Sequence, residues 1–170
     1  MTQRIFGITG WKNSGKTTLT ENLVEEFARR GLRVATVKHA HHTFDLEQPG
    51  TDSFRHRNAG AVETAIVSSR RWALLHEIRE EEEPALDDVL EKLSPCDLVL
   101  VEGYKREPHP KIECRRLEAR DQTPLAGAVP NIRAVAADHA SKTGDLPLFA
   151  LDDVDGIAGF IADHLDLPKD

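Results

Sequence analysis

Cysteine is scarce: Cys96 and Cys114 are the only two in 170 residues. Their number and spacing exclude a disulfide framework and a zinc ribbon. Both thiols are expected to stay reduced, one of them in the core, and the expected location is the cytoplasm. Positive charge is in deficit. The chain carries 22 Lys and Arg against 29 Asp and Glu, a net charge of −7 and a pI near 5.6. Bulk electrostatics therefore argues against nucleic acid or an anionic membrane as partner. No apolar run approaches the roughly 20 residues that span a bilayer. Met1-Thr2-Gln3-Arg4 leads straight into an apolar stretch, so no signal peptide is expected. Internal repeats and linkers are lacking too, and residues 1–170 read as one domain.

What is present is organised around Gly10-Trp11-Lys12-Asn13-Ser14-Gly15-Lys16-Thr17-Thr18. This stretch fits G-x-x-x-x-G-K-[ST], the phosphate-binding P-loop. The apolar strand Arg4 to Thr9 precedes it. Leu19, Leu23, Val24 and Phe27 follow on one face of an amphipathic helix. In that context the backbone N–H groups of Asn13, Ser14, Gly15, Lys16, Thr17 and Thr18 converge on a phosphate, aided by the helix dipole. Gly10 and Gly15 let the backbone approach phosphate oxygens. Lys16 reaches the β- and γ-phosphates, and the Thr17 hydroxyl ligates Mg²⁺. The chain is therefore expected to bind a nucleoside triphosphate.

The first helix should run to about Arg30, with Gly31 as its C-cap. Leu32 to Lys38 completes a right-handed βαβ unit. The following loop, Lys38-His39-Ala40-His41-His42-Thr43-Phe44-Asp45, leads through Pro49-Gly50 to a short helix capped by Thr51 or Asp52 and bearing Arg55, His56 and Arg57. Three readings stay open. The loop is solvated and inert; or its imidazoles, with Asp45 or Asp52, hold Zn²⁺ or Ni²⁺; or it is a switch, in which Lys38, His39, His41, His42 and Arg55 meet an anionic ligand while a carboxylate such as Asp45 serves Mg²⁺.

Val62 to Ser68 and Trp72 to His76 predict a hairpin at a sheet edge. Arg79 to Glu83 is a charge run, read either as the solvated entry to a helix or as a docking patch. Leu86, Val89, Leu90 and Leu93 give that helix its apolar face. Cys96-Asp97-Leu98-Val99-Leu100-Val101-Glu102-Gly103 predicts a buried parallel strand ending in an acid. Glu102 either holds Mg²⁺ through its water shell, or orients the attacking water, or merely caps the strand. Tyr104, Lys105 and Arg106 follow on a loop. Lys111 to Arg116 and Ile132 to Asp138 predict further strands. Asp138 either reads guanine N1–H and N2–H₂ or caps a turn; no Asn-Lys-x-Asp motif is present. Leu148 to Leu151 and a helix capped at Asp152 or Asp153 close the chain. The predicted fold is α/β, a mostly parallel, doubly wound P-loop sheet with flanking helices and an edge hairpin.

The GWKNSGKTTL loop, the VKHAHHTFDLEQPGTDSFRHRNAGA stretch and the DLVLVEGYK strand together resemble the MobB family, molybdopterin-guanine dinucleotide biosynthesis protein B. The resemblance covers roughly residues 4–116. It implies GTP binding with weak hydrolysis by a homodimeric accessory of the guanylyltransferase that joins GMP to molybdopterin. It also implies a triphosphate site from Gly10 to Thr18 and Glu102 at the Mg²⁺ region. From the residues themselves, Glu102 and Lys16 are the expected catalytic pair. The family's characteristic loop would comprise Lys38 to His42, Asp45, Asp52 and Arg55. Lys12-Asn13 departs from the smaller residues usual there. Other functions for the same motif are a metal-delivery GTPase and a small-molecule kinase. No Cys-Pro-His or Cys-x-x-Cys element accompanies the histidines, and only residues 105–120 could supply a kinase lid.

Overall fold

A computed structural model describes residues 4–40 and 44–168. The chain divides into two compact units, Met1–His39 with Leu90–Asp170, and Ala40–Val89. The larger unit is built on a six-stranded, wholly parallel sheet. Its strands are β1 (Ile5–Thr9), β2 (Val34–Lys38), β5 (Leu98–Glu102), β6 (Lys111–Arg115), β7 (Ile132–Ala137) and β8 (Leu148–Ala150), in the order β2-β5-β1-β6-β7-β8. The smaller unit holds α2 (Asp52–Asn58) and the antiparallel hairpin of β3 (Glu63–Val67) and β4 (Trp72–His76), which forms its own two-stranded sheet.

The aliphatic run of β5 explains its place. Side chains alternate faces along a strand, so a strand apolar at every position must be covered on both sides. Leu98, Val99, Leu100 and Val101 are all fully buried. One face of the sheet carries Phe6, Ile8, Leu98, Leu100 and Ile112. Against them pack Leu19, Leu23 and Phe27 of α1 (Lys16–Arg29) and Ile157 and Ile161 of α4 (Val154–His164). Each such side chain contributes about 1.5–3 kcal/mol by leaving water. The predicted boundaries of both helices hold. Gly31 at φ +80 follows α1, with Gly31 N–H donating to Ala28 O and Leu32 N–H to Phe27 O. The Asp153 carboxylate caps α4, accepting from Gly156 N–H at 3.1 Å. Helix α3 (Leu86–Glu91) is shorter than the sequence pattern predicts, and Leu93 falls in the turn beyond it.

Strand order positions the functional residues. From β1 the chain moves to one side, through β2 and β5, and then crosses to the other through β6, β7 and β8. Such a reversal leaves a crevice at the carboxyl ends of the central strands. The pairing aligns those ends: Ile8 and Lys38 both register with Glu102, Thr9 with Glu113, and Ala137 with Arg115. The P-loop, Lys38, Glu102, Arg116 and Asp138 therefore all leave one edge of the sheet.

Candidate functional site

The P-loop joins β1 to α1 through three residues at positive φ: Gly10 (149), Asn13 (63) and Gly15 (92). Asn tolerates the left-handed region better than most residues, because its short amide can bond locally. That accounts for the unusual Asn13. A Cβ on Gly10 would lie 2.7 Å from the Cys114 carbonyl oxygen and 2.3 Å from Ser14 Oγ. Glycine is thus required by packing as well as by conformation. Ser14 Oγ is buried without a hydrogen-bond partner among the described residues. Thr9 Oγ1, at the mouth of the same loop, is in the same state.

Lys16 and Thr17 open α1. The Lys16 ammonium donates to the Trp11 carbonyl at 2.7 Å, folding the side chain back over the loop. Burial lowers its pKa, partly opposed by the Cys114 thiol and the Glu102 carboxylate. A desolvated cation facing inward favours an anionic ligand. Thr17 Oγ1 donates to the Glu102 carboxylate, lying 3.1 Å from Oε1 and 3.3 Å from Oε2. Lys38 Nζ stands 3.3 Å from the same Oε1. Glu102 is 7% exposed, so this carboxylate is enclosed by a hydroxyl and an ammonium at the end of the most buried strand. A hydroxyl and a carboxylate are hard oxygen donors of the kind Mg²⁺ takes alongside phosphate oxygens. Thr17 and Glu102 fit that ion.

Around this centre the structure brings together residues far apart in sequence. His39 N–H donates to Glu102 O at 2.9 Å, and its ring lies 4.6 Å from that of Tyr104. Lys105 places its ammonium 3.9 Å from the centre of the Trp11 ring, a cation–π contact. The Trp11 indole N–H donates to Thr123 O at 2.7 Å. Asn13 to Thr18 line a pocket together with Arg116 and Glu118. The Asp138 carboxylate accepts the Leu117 N–H at 2.8 Å and sits 2.8 Å from His139 Nδ1. These contacts hold its pKa below the ordinary aspartate value, His139 being the main cause. Arg116 was missed in the sequence because only strand order reveals that β6 flanks the P-loop strand.

Within the smaller unit, Arg57 gathers the acids. It lies 2.8 Å from Asp45, 2.9 Å from Glu47 and 3.7 Å from Glu77. The Glu47 contact has ion-pair distance without hydrogen-bond alignment. Asp45 also accepts the Glu47 N–H at 2.9 Å, and the Arg57 hydrogen bond lowers its pKa. Asp52 and Arg55 occupy an exposed face of α2 beside His56. His41 and His42 lie outside the described residues. Among the described residues no group of three or more His, Cys, Asp or Glu side chains is arranged to hold a metal ion. The cysteines are free thiols. Cys114 is buried beneath the P-loop, where burial pushes its pKa up to about 12.

A parallel sheet with a Gly-x-x-x-x-Gly-Lys-Thr loop on its central strand, and an acid ending the adjacent strand, defines a P-loop protein of the α/β class. Comparison with known proteins narrows this. Residues 5–138 match the MobB family, "Molybdopterin guanine dinucleotide synthesis protein B". The molybdopterin-guanine dinucleotide biosynthesis adapter protein of Escherichia coli is 36% identical over 163 residues, 95% of this chain and 93% of the relative. The crystal structure of the MobB homologue from Bacillus stearothermophilus superposes with a TM-score of 0.71 at 34% identity, covering 95% of this chain and 97% of that one. A crystal structure of molybdopterin-guanine biosynthesis protein B gives a TM-score of 0.74 at 31% identity, covering 95% and 99%. The chain belongs to the MobB family.

Proposed function

We propose that this protein is a GTP-binding adapter in molybdopterin guanine dinucleotide biosynthesis, assisting the guanylyltransferase that attaches GMP to molybdopterin. The observation that carries the nucleotide part is the Thr17–Glu102 contact of 3.1 Å, one residue after Lys16. It sets a carboxylate and a hydroxyl side by side at the mouth of a phosphate loop. The pathway part rests on family membership and on the name of the E. coli relative.

In this reading, backbone N–H groups from Asn13 to Thr18 cradle the β-phosphate and Lys16 neutralises the γ-phosphate. Thr17 and Glu102 would hold Mg²⁺, which when bound supplies counter-charge to the phosphates. Glu102 would also orient a water for a slow hydrolysis, with Lys38, 3.3 Å from its Oε1, holding the carboxylate in place. Asp138, just beyond the end of β7, would read guanine by giving up its His139 and Leu117 contacts. The Lys38–His42 loop, with Asp45, Asp52 and Arg55, would respond to the nucleotide and meet the partner enzyme or its anionic pterin. Homodimerisation is part of the proposal. Val67, Trp72 and Leu74 of the hairpin, 75%, 69% and 51% exposed, are the apolar side chains that support it.

Calorimetric titration with GTP and ATP, each with Mg²⁺, is the first test. Preference for GTP, lost together with all triphosphate binding in Lys16→Ala, is the expected result. Equal affinity for the two nucleotides would reject the guanine assignment, and undiminished binding by a folded Lys16→Ala variant would reject the P-loop assignment. Co-purification with the guanylyltransferase, with and without GTP, tests the adapter role. Sedimentation velocity tests the dimer.

A further inference from the structure

The pocket lined by Asn13 to Thr18 contains two cations, Lys16 and Arg116. Lys16 is the motif lysine. Arg116 belongs to no motif and enters from the strand on the other flank of β1. Its stem lies against the P-loop backbone: Arg116 Cδ is 3.3 Å, and Cγ 3.7 Å, from the point where a Cβ on Gly15 would stand. A Cβ there would crowd the stem slightly and would meet Leu151 Cδ2 at 2.9 Å. Gly15 immediately precedes Lys16, so the arginine is anchored beside the N–H groups that open α1.

The guanidinium is held loosely. Arg116 Nη2 lies 3.3 Å from Glu118 Oε2, and Nε lies 3.7 Å from Asp138 Oδ2, beyond hydrogen-bond length. The Arg116 side chain is 41% exposed and that of Glu118 80%. Such solvated pairs are weak and exchangeable. A polyphosphate offers several oxygens of concentrated charge, and a planar guanidinium can engage two of them at once.

We propose that Arg116 is a second, cis-acting phosphate ligand of the P-loop, its guanidinium leaving Glu118 for the oxygens of a bound nucleoside polyphosphate. Glu118 then holds the arginine at the pocket rim between binding events. The inference rests on the P-loop binding a nucleoside polyphosphate, as proposed above, and adds a ligand from outside the motif.

Titrating Mg²⁺·GTP and Mg²⁺·pyrophosphate into the unaltered protein, Arg116→Ala, Arg116→Lys and Glu118→Ala tests it. Loss of one charge-assisted contact should weaken both ligands about tenfold or more in Arg116→Ala. Arg116→Lys keeps the charge without the fork and should fall between. Glu118→Ala breaks the same ion pair but spares the arginine, so its affinity should be equal or higher. Circular dichroism of each variant checks that the fold persists. An Arg116→Ala affinity within about fivefold of the unaltered protein overturns the inference and leaves the P-loop assignment standing. So does an equal loss in Glu118→Ala, since the pair would then be structural. Absence of binding by the unaltered protein would overturn both.

Discussion

Glu113 is the residue whose removal should cost the fold most for the fewest atoms. It lies on β6, 1% exposed, and its carboxylate is fully used. Oε1 accepts the Leu125 N–H at 2.8 Å, and Oε2 accepts the Ala126 N–H at 3.0 Å and Arg115 Nη2 at 2.8 Å. Glu113→Ala would strand two backbone donors and a guanidinium that is itself only 11% exposed. Each buried donor left without a partner costs about 1–3 kcal/mol, and breaking a buried ion pair from one side about 3–5 kcal/mol. These contributions overlap and Arg115 keeps its bond to Lys142 O, so the expected total is about 3–5 kcal/mol. Glu113→Gln retains one acceptor oxygen and should cost about 1–2 kcal/mol. Urea unfolding monitored by circular dichroism measures both. With a slope of about 1–3 kcal/mol per molar, the alanine variant should unfold more than about 1 M earlier. The loop that Glu113 holds contains Thr123, the acceptor for Trp11 of the P-loop, so nucleotide affinity should fall with stability. An alanine variant within about 1 kcal/mol of the unaltered protein would refute the reasoning, because desolvated donors cannot be abandoned so cheaply.

Gly10→Ala should abolish triphosphate binding at a stability cost of about 1–3 kcal/mol, since its methyl would meet the Cys114 carbonyl oxygen at 2.7 Å; isothermal titration and urea unfolding read the two effects, and unchanged binding would count against the loop geometry. Glu102→Gln should weaken Mg²⁺-dependent nucleotide binding while Mg²⁺-free binding changes little, which titration with and without EDTA decides. His109 should give acid lability. Its ring is buried with both nitrogens unpartnered among the described residues, and burial, then the Lys111 charge, lowers its pKa from 6.5 to about 4. The unfolded chain therefore takes up the proton first, and stability is lost as pH falls from about 6.5 towards 4. His109→Gln should flatten that part of a urea-midpoint-against-pH curve, and an unaltered slope would assign the acid lability elsewhere.

Much of this was legible in the sequence where one residue type does one job. Gly10, Gly15, Lys16 and Thr17 are held at fixed spacing by the geometry of a single loop, and Leu98 to Val101 must be a central strand because every position is apolar. Glu102 follows as the last residue of that strand and its first polar one. Other features depend on tertiary position. Glu113 and Lys111 are charged alternates of a predicted strand, and both are buried because β6 is an interior strand between β1 and β7. Lys111 compensates by donating to the carbonyls of Glu107, His109 and Pro130. Satisfied charges leave no trace in a hydropathy pattern. Arg116 was invisible for a related reason: nothing local says which strand lies beside β1.

That placement also shows why the site depends on register more than on any one loop. Glu102 meets Thr17 because β5 lies beside β1 with Ile8 opposite Glu102, and it meets Lys38 because β2 has Lys38 opposite the same residue. Side chains alternate faces with a period of two, so a one-residue slip of β5 would turn Glu102 away from Thr17 and draw one of the flanking acids, Asp97 or Glu102, into the apolar layers. The same hydrophobic burial that stabilises β5 on both sides therefore fixes the carboxylate at the mouth of the loop. Chemistry at this edge is specified by the core beneath it: the apolar residues from 98 to 101 set where Glu102 falls, and Glu102 sets where Thr17 and Lys38 find their common partner.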